Sequence, residues 1–433
     1  MPVQLKPLRE QVIVITGASS GIGLCTARRA ASEGARVVLA ARNERDLSNA
    51  VAAIHRDGGR ATYVVADVAD AQDVERVAHA AIQKFGGFDT WVNNASTSIY
   101  GRLDEIDMAD KRRLFDVNFW GVVNGCRAAV PHLKSRGGTL INVGSVTSDQ
   151  PIPLLGIYSA AKHAVKAYTD TLRMELEEEG APISVSLVKP SSIDTPFFQH
   201  AKSYMGVEPL PVPPVYAPDV VAGAILECAT HPVRDIFVGG GGKSMAAMGY
   251  HAPRLTDKYM EATAFRQQQS DVPLDGRPDN LYAPLDDDGG ERGRNWKGHV
   301  MESSMYTRAA LNPVLTAVAF AGAALAFLAA SRAIRQAREA SAREHRLADR
   351  AVAIPIDVEP LPVGDSSTPP HGDVMPHGLL TEGSGGASGG LELDEGASEG
   401  ATPPHGDVLP RGEKAARTSG RSNGDPTAVG PSR

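Results

Sequence analysis

A tyrosine and a lysine stand four residues apart in the sequence YSAAKHAV, at Tyr158 and Lys162. The surrounding alanine-rich stretch predicts a helix, on which residues i and i+4 share one face. A free phenol has a pKa of about 10, but a neighbouring ammonium group stabilises the phenolate and lowers that pKa. The spacing therefore indicates a tyrosine prepared for proton transfer near neutral pH. Tyr-x-x-x-Lys also occurs on surface helices, so the pair alone leaves a structural explanation open.

A glycine-rich turn follows the first predicted strand in VIVITGASSGIG, with Gly17, Gly21 and Gly23. Glycine lets the backbone approach a pyrophosphate, and the next helix begins with free N–H groups and the positive end of its dipole. The position at the first strand-to-helix junction favours a bound dinucleotide. A tight turn without a ligand is the alternative.

The second predicted strand ends in AARNERD, with Ala41 followed by Arg42. NAD-selective sites usually carry an acidic residue here, whereas an arginine accommodates the 2′-phosphate of NADP. The sequence thus predicts NADP, with NAD less favoured. In the alternative, Arg42 is a solvated charge at the start of the next helix.

Short apolar runs alternate with helix-length segments from residue 11 to about 240. The runs are continuously apolar, as in strands that are buried on both faces of a parallel sheet. We therefore expect an α/β fold with a doubly wound, Rossmann-type parallel sheet of about seven strands, whose ligands bind at the carboxyl ends. The predicted strands are residues 12–16, 36–41, 62–67, 90–94, 139–143 and 183–189, with a seventh candidate at 235–238.

Residues from about 8 to 245 resemble the short-chain dehydrogenase/reductase family, of the single-domain type. The motifs occur in the family's order: TGASSGIG, ADV, NNAS, DVNFWG, NVGSVTS and YSAAK. The resemblance implies a catalytic tetrad of Asn118, Ser145, Tyr158 and Lys162.

Each tetrad residue has an implied role. Tyr158 would exchange a proton with the substrate oxygen, and Lys162 would lower the pKa of Tyr158 while holding the nicotinamide ribose. Ser145 would hydrogen-bond the carbonyl group, and Asn118 would position a water. No metal is required.

The resemblance also implies cofactor contacts, with Asp67 near the adenine and Ile193 and Thr195 near the carboxamide. The full implied set is Gly17, Ser19, Ser20, Gly21, Ile22, Gly23, Arg42, Asp67, Val68, Asn94, Ala95, Tyr158, Lys162, Pro190, Ile193 and Thr195.

Two serines, Ser96 and Ser191, depart from the family pattern by replacing glycines on the nicotinamide side. We expect them to reshape the cofactor cleft slightly, because glycine there permits positive φ or close backbone approach. The stretch 197–215 resembles the family's substrate lid. Its apolar side chains favour a lipophilic substrate, although ordinary packing of a loop explains them nearly as well.

The chain beyond the catalytic domain (1–245) divides by composition. Residues 246–308 predict an irregular extension, with an exposed linker at 286–295. Residues 309–331 predict a transmembrane helix, because 309–330 contain no charge and are long enough to cross about 30 Å of hydrocarbon. A helix packed on this domain or on a partner is the alternative.

The last two segments differ sharply in charge. Residues 332–350 carry six arginines and predict a juxtamembrane helix. Residues 351–433 contain 26 Pro and Gly and no aromatic residue, which predicts a disordered acidic tail. The arginines favour a cytoplasmic location for the C-terminal flank of the span. An NADP-dependent catalytic domain on the N-terminal side also belongs in the cytoplasm. A single span cannot place both flanks there, so the topology stays open.

Charge and cysteine content narrow the function further. The net charge of the whole chain is −7. Residues 351–433, with twelve acidic and five basic side chains, account for all of it. The rest of the chain is balanced in charge and lacks the excess of basic residues that nucleic-acid binding normally needs. Cys25, Cys126 and Cys228 lack CxxC spacing, which suggests neither disulfides nor a metal site and fits the cytoplasm. The N-terminal stretch predicts no secretory signal.

These features predict an NADP-dependent oxidoreductase that interconverts a small-molecule carbonyl compound and an alcohol, associates with a membrane, and pairs with a second copy, as family members often do. A catalytically silent NADP-binding scaffold or sensor, whose tail recruits partners, is the alternative. An epimerase or dehydratase is less favoured, because such relatives generally carry a larger substrate domain.

Overall fold

The computed structural model describes residues 3–352, and the predicted doubly wound sheet is confirmed. Seven parallel strands stand in the order 3-2-1-4-5-6-7, the order of a Rossmann-type sheet. They are β1 (Val12–Thr16), β2 (Arg36–Ala41), β3 (Arg60–Val65), β4 (Thr90–Asn93), β5 (Gly138–Val143), β6 (Ile183–Pro190) and β7 (Asp235–Val238).

Strand β1 shows why the predicted strands are continuously apolar. Ile13 and Ile15 belong to the buried cluster on one face of the sheet, whereas Val12 and Val14 belong to the cluster on the other. Successive strand side chains point to opposite faces, so a strand covered on both sides is mostly apolar, and its few polar residues, such as Asn142 and Ser186, are themselves buried. The seventh candidate strand is present as β7, and β3 begins and ends two residues earlier than predicted.

Helices cover both faces of the sheet and continue into the extension. Between α4 and α5 the chain forms one wide π turn, Asp116–Trp120. The helices are α1 (Gly21–Ser32), α2 (Glu44–Arg56), α3 (Ala71–Phe85), α4 (Met108–Phe115), α5 (Gly121–Arg136), α6 (Gly156–Glu178), α7 (Phe197–His200), α8 (Pro218–Thr230), α9 (Gly240–His251), α10 (Pro253–Gln267), α11 (Met305–Leu311) and α12 (Pro313–Val352).

The extension folds back onto the catalytic domain through short strands. Gln269–Pro273 pairs antiparallel with Val207–Pro209 in the loop after β6. Val300–Met301 pairs with Val215–Tyr216, which in turn pairs with Ser192–Ile193. Two further short strands, Ile99–Tyr100 and Lys202–Ser203, pair beside the cleft. The linker expected at 286–295 is exposed at half of its positions, but its course is fixed, because the Gly290 carbonyl accepts from the Gly21 N–H and Asp288 is buried.

Helix α12 begins at Pro313, which suits a first helical position, and runs for 40 residues. It contains an 18-residue window of mean hydropathy 2.1, none of which is buried inside the described structure. The predicted span at 309–331 differs at its start, since residues up to Leu311 belong to α11. The Arg-rich stretch 332–350 continues α12, which ends at Val352, and the rest of the tail predicted at 351–433 lies outside the described residues.

Candidate active site

One cavity at the carboxyl edge of the sheet collects the residues predicted from distant parts of the sequence. Parallel strands end at the same edge, so the loops after β1, β2, β4, β5 and β6 meet there. The cavity wall contains every predicted site residue except Gly23 and Asn118: Gly17, Ser19, Ser20, Gly21, Ile22, Arg42, Asp67, Val68, Asn94, Ala95, Ser145, Tyr158, Lys162, Pro190, Ile193 and Thr195.

The glycine loop between β1 and α1 is held by the end of β4. Gly17 has φ +66°, and a Cβ there would stand 2.7 Å from the Ala95 Cα. The Asn94 side-chain amide donates to the carbonyl oxygens of Thr16 (2.9 Å) and Gly17 (3.2 Å). A Cβ on Gly23 would stand 2.2 Å from the Gly17 carbonyl oxygen, so Gly23 permits the close packing of helix against loop, and it lies outside the cavity wall.

Tyr158 and Lys162 face the cavity together from α6, as their spacing predicts. Burial raises the pKa of Tyr158 to about 12, although the hydroxyls of Ser145 and Ser96 partly oppose the rise. Burial also lowers the pKa of Lys162 to about 7. Its Nζ donates to the Val143 carbonyl (2.9 Å) and lies 5.7 Å from the centre of the phenol ring.

The expected direction of the tyrosine pKa shift is wrong for this structure. A lysine lowers the pKa of a nearby phenol only while the lysine is charged, and burial disfavours the charged forms of both groups. The phenol is consequently protonated at neutral pH, whereas the lysine titrates there.

Ser145 stands after β5 and begins a 3₁₀ turn, Val146–Ser148. Its Oγ accepts from the Thr147 N–H (3.1 Å), and its own N–H donates to the Ser148 Oγ (3.2 Å). These bonds fix the serine where its hydroxyl faces the phenol. The Ser96 Oγ is buried as well, but it has no partner with full hydrogen-bond geometry between residues 3 and 352.

Asn118 lies in the π turn and is fully buried behind the cavity. Its Oδ1 accepts from the Thr97 N–H (2.8 Å), and its Nδ2 donates to the Thr97 carbonyl oxygen (2.8 Å). The side-chain amide therefore anchors the loop after β4. These two contacts use one of the two N–H groups of the amide and one lone pair of its oxygen, so the water expected at Asn118 stays a prediction.

Asp67 and Arg42 mark the end of the cavity where the adenosine is expected. Burial raises the pKa of Asp67, but the Ala69 N–H and the Arg113 guanidinium outweigh it and hold that pKa below its usual value. Burial lowers the pKa of Arg42, while Asp67 and Asp288 oppose that effect. Both charged groups thus stay ionised in the wall of the cavity.

A segment that sequence reasoning missed crosses this end of the cavity. We call residues 279–292 the strap. Arg42 donates to the strap carbonyls of Asn280 and Tyr282, the latter at 3.2 Å. The Gly21 N–H donates to the Gly290 carbonyl oxygen (2.8 Å), so the strap occupies this backbone donor at the start of α1. Asn280, Pro284 and Asp288 contribute to the cavity wall.

Ser191 connects the end of β6 to the start of α9. Its Oγ accepts from the Gly242 N–H in the first turn of α9 (3.2 Å) and donates to the Gly239 carbonyl (3.3 Å). Neither Ser191 nor Ser96 has a positive φ, so both serines replace glycine without backbone strain. The departure of Ser191 from the family pattern is visible in the sequence, but its contacts at the start of α9 are not.

The other end of the cavity is apolar. The Phe197 ring packs edge-on against Tyr158, with ring centres 5.6 Å apart. The remaining wall there comes from the stretch 197–215 and from the loops around it: Tyr100, Ile152, Leu155, Phe198, Leu210 and Val212.

The fold and the site define the class of protein. A Rossmann-type sheet positions a glycine loop at one end of a cleft and a Ser-Tyr-Lys group in the middle. A family model described as short chain dehydrogenase matches residues 11–205. The chain belongs to the short-chain dehydrogenase/reductase family and is an oxidoreductase.

Individual relatives and a solved structure are consistent with this family. The uncharacterized oxidoreductase YxnA of Bacillus subtilis is 45% identical over 333 residues, which are 76% of this chain and 93% of that protein. The 3beta-hydroxysteroid dehydrogenase 1 of Eggerthella lenta is 35% identical over 247 residues, 54% of this chain and 94% of that protein. A short chain dehydrogenase/reductase from Burkholderia phymatum, crystallised in complex with NAD, superposes with a TM-score of 0.53 at 26% identity, covering 58% of this chain and 96% of the other.

Proposed function

We propose that the protein is an NADP-dependent oxidoreductase that interconverts a lipophilic ketone or aldehyde and its alcohol. The observation that carries the proposal is the convergence of Ser145, Tyr158 and Lys162 on one cavity that also contains the glycine loop. The apolar wall at 197–212 and the similarity to a hydroxysteroid dehydrogenase support a lipophilic substrate.

The donor set of the cavity fits a dinucleotide. Backbone N–H groups at the start of α1 suit a pyrophosphate, and the Arg42 guanidinium has five N–H donors, of which the strap carbonyls use two. The remaining donors of Arg42 are available to a 2′-phosphate, which is why we favour NADP. When bound, the nicotinamide supplies or accepts the hydride.

The residues of the chain handle the proton. In the reducing direction, the Tyr158 hydroxyl donates its proton to the substrate oxygen, and a pKa of about 12 keeps that proton in place until the carbonyl arrives. The Ser145 hydroxyl holds the same oxygen. Lys162, with a pKa of about 7, is suited to return a proton to the tyrosine at neutral pH.

Replacing Tyr158 with phenylalanine tests the mechanism. We expect Tyr158→Phe to lower kcat for NADPH oxidation by at least about 100-fold, because general acid catalysis is lost while the ring remains. Tyr168→Phe on the same helix, where the side chain packs away from the cavity, is the matched control. Unchanged turnover across a carbonyl panel would refute the mechanism. Tight NADPH binding without turnover in the unaltered protein would favour the scaffold alternative.

We also propose that α12 associates with a membrane and keeps the catalytic domain in the cytoplasm. Its first half exposes large apolar side chains, including Phe320 and Phe327, each over 70% exposed. An arginine at mid-span, Leu325→Arg, should release the full chain from sedimented membranes, whereas Ser331→Arg at the edge should not. Equal sedimentation of both variants and the parent protein would end this proposal.

A further inference from the structure

Asn280, in the strap, is bonded to three loops around the end of the cavity where we expect the adenosine. Its carbonyl oxygen accepts from Arg42 after β2, and its side-chain oxygen accepts from the Thr97 hydroxyl after β4 (2.7 Å). Its N–H donates to the carbonyl oxygen of His200 after β6 (2.9 Å). Because these loops follow three different strands, the strap spans the cleft and does not lie along one wall.

The rest of the strap is held at the start of α2. The Asn43 side-chain amide donates to the Leu285 carbonyl oxygen (2.8 Å), and the Asp46 carboxylate accepts from the Asp288 N–H (2.8 Å). A nucleotide at this end of the cavity would lie beneath a segment that is bonded on both sides. We therefore expect it to pass the strap only when several of these bonds break together.

The strap is also joined to residues 197–215, which we call the lid. The strand Gln269–Pro273, ahead of the strap, pairs with Val207–Pro209 of the lid. Arg277, two residues before the strap, donates to the Glu208 carboxylate of the lid (2.8 Å). These bonds connect the strap and the lid into one cover, so we expect the two segments to move together.

A buried carboxylate in α4 ties this cover to the body of the domain. Asp110 is 4% exposed. Its Oδ1 accepts from the Tyr282 hydroxyl of the strap (2.8 Å), and its Oδ2 accepts from the Tyr204 hydroxyl (2.6 Å) and the Lys202 ammonium (2.6 Å) of the lid. We call these four residues the latch. Hydrogen bonds to an ionised acceptor are stronger than neutral ones, so the carboxylate is suited to hold both segments at once.

We propose that Asp110 is a positioning residue that holds the strap and the lid closed over the bound dinucleotide, and thereby sets how fast the cofactor enters and leaves. None of the four latch residues belongs to the cavity wall. The latch should therefore stabilise the closed cover equally with and without cofactor. This inference rests on the cofactor site of the proposed function, but not on its carbonyl chemistry.

The rates of cofactor binding test the latch. Stopped-flow fluorescence of NADPH measures association with the full chain, and displacement by excess NADP⁺ measures dissociation, both without a carbonyl substrate. Asp110→Asn should raise the association and dissociation rate constants by about 10-fold each and leave Kd nearly unchanged, because the closed cover loses its charge-assisted bonds. Asp104→Asn, the same change at an exposed position six residues earlier, should alter neither rate constant.

A milder variant keeps the test decisive if Asp110→Asn does not fold. Tyr282→Phe removes one hydroxyl at a 54% exposed position and should raise both rate constants by about threefold. Tyr259→Phe, at a 50% exposed position of α10, is the matched control and should leave them unchanged.

Three results would overturn the inference. The first is a set of unchanged rate constants in Asp110→Asn and Tyr282→Phe. The second is faster dissociation alone, with Kd weakened by the same factor, as for a residue that supports only the bound state. The third is a lower unfolding temperature without faster association, as for a residue with only a structural role.

The outcome for the latch is separate from the outcome for the proposed activity. A rise of both rate constants in a protein that reduces no carbonyl compound would support the latch and refute the proposed activity. The same rise measured with NADH, in a protein that does not bind NADPH, would support the latch and refute the choice of NADP. Binding of neither nucleotide would overturn both proposals.

Discussion

The matched family region, residues 11–205, and the extension, residues 246–308, contribute different parts of one cavity. The first provides the glycine loop, Ser145, Tyr158 and Lys162, which carry the proposed chemistry. The second provides the strap, whose Asn280, Pro284 and Asp288 line the end of the cavity where we expect the adenosine. If the proposed function holds, the shared region carries the chemistry and the added region contributes to the choice of cofactor.

The similarity to YxnA reaches into this added region. Its alignment covers 333 residues, whereas the family model stops at residue 205 and only ten residues precede its start. The extension therefore belongs to the region that the two proteins share. Four effects, measured with five substitutions, test what each of the two regions contributes.

The largest expected effect concerns the attachment of the strap. Leu281 is fully buried in the same cluster as Ile99, Leu114 and Tyr158. Leu281→Ala should lower the free energy of unfolding by about 2–5 kcal/mol, because it leaves a cavity in a packed cluster. Leu255→Ala, at a 65% exposed position of α10, should change it by less than about 0.5 kcal/mol. Equal effects in urea denaturation would mean that the strap is not part of the cooperative unit.

The second effect concerns the buried lysine of the family region. The pKa of Lys162 is about 7 in the folded protein, against 10.5 for an ordinary lysine. Between these values the unfolded chain binds more protons, so stability rises with pH in this window and is flat below it. Relative to Lys162→Met, the unaltered protein should gain up to about 1.4 kcal/mol per pH unit from pH 7 to 9.

Urea denaturation at several pH values measures this gain. Lys166→Met controls for the loss of a lysine from the same helix. A stability difference that is constant with pH would contradict a buried, titrating Lys162.

The third effect concerns the contact between the two regions at Arg42. Arg42→Ala should lower the preference for NADPH over NADH, as a ratio of kcat/KM values, by about 10- to 100-fold, because a charge-assisted contact to the 2′-phosphate is lost. If the substitution also loosens the strap, kcat/KM should fall equally for both cofactors, and this effect cancels in the ratio. Arg45→Ala, one turn later and solvent-exposed, should preserve the ratio. An unchanged ratio in both variants would place cofactor choice elsewhere.

The smallest effect concerns the two serines that replace family glycines. Ser96→Gly should change kcat by about two- to threefold, since its hydroxyl contributes only weakly to the ionisation of Tyr158. Ser191→Gly removes the bond to the Gly242 N–H and should cost about 1 kcal/mol of stability with little change in kcat. Thermal unfolding measures the change in stability, and steady-state kinetics measure the change in kcat. A changed kcat in Ser191→Gly together with a loss of stability in Ser96→Gly would contradict both assignments.

The sheet was predictable and the candidate catalytic residues could be named because their signals are local. Tyr158 and Lys162 are related by one helical turn, and each strand is a short apolar run bounded by a turn. The motifs around Gly17 and Ser145 repeat a known order along the chain. Such signals need no knowledge of which distant segments meet.

The strap carries no local signal. Asp288 stands in DDDGGERGRN, which has the composition of a solvated linker, yet it is 8% exposed and forms part of the cavity wall. The bond between Arg42 and Asn280 joins residues 238 positions apart. No periodicity or motif encodes such a pairing, and the same holds for the direction of the Tyr158 pKa shift, which depends on how completely the ring is buried.

The sequence by itself determined the α/β class and predicted the cofactor loop and the candidate proton-transferring pair, because helical and strand periodicity and the spacing of functional groups are properties of neighbouring residues. Only the tertiary structure decided what closes the cavity and how burial shifts the pKa values of the groups in it. Those properties come from burial and from contacts between segments that are far apart along the chain, and they arise only once the chain is folded.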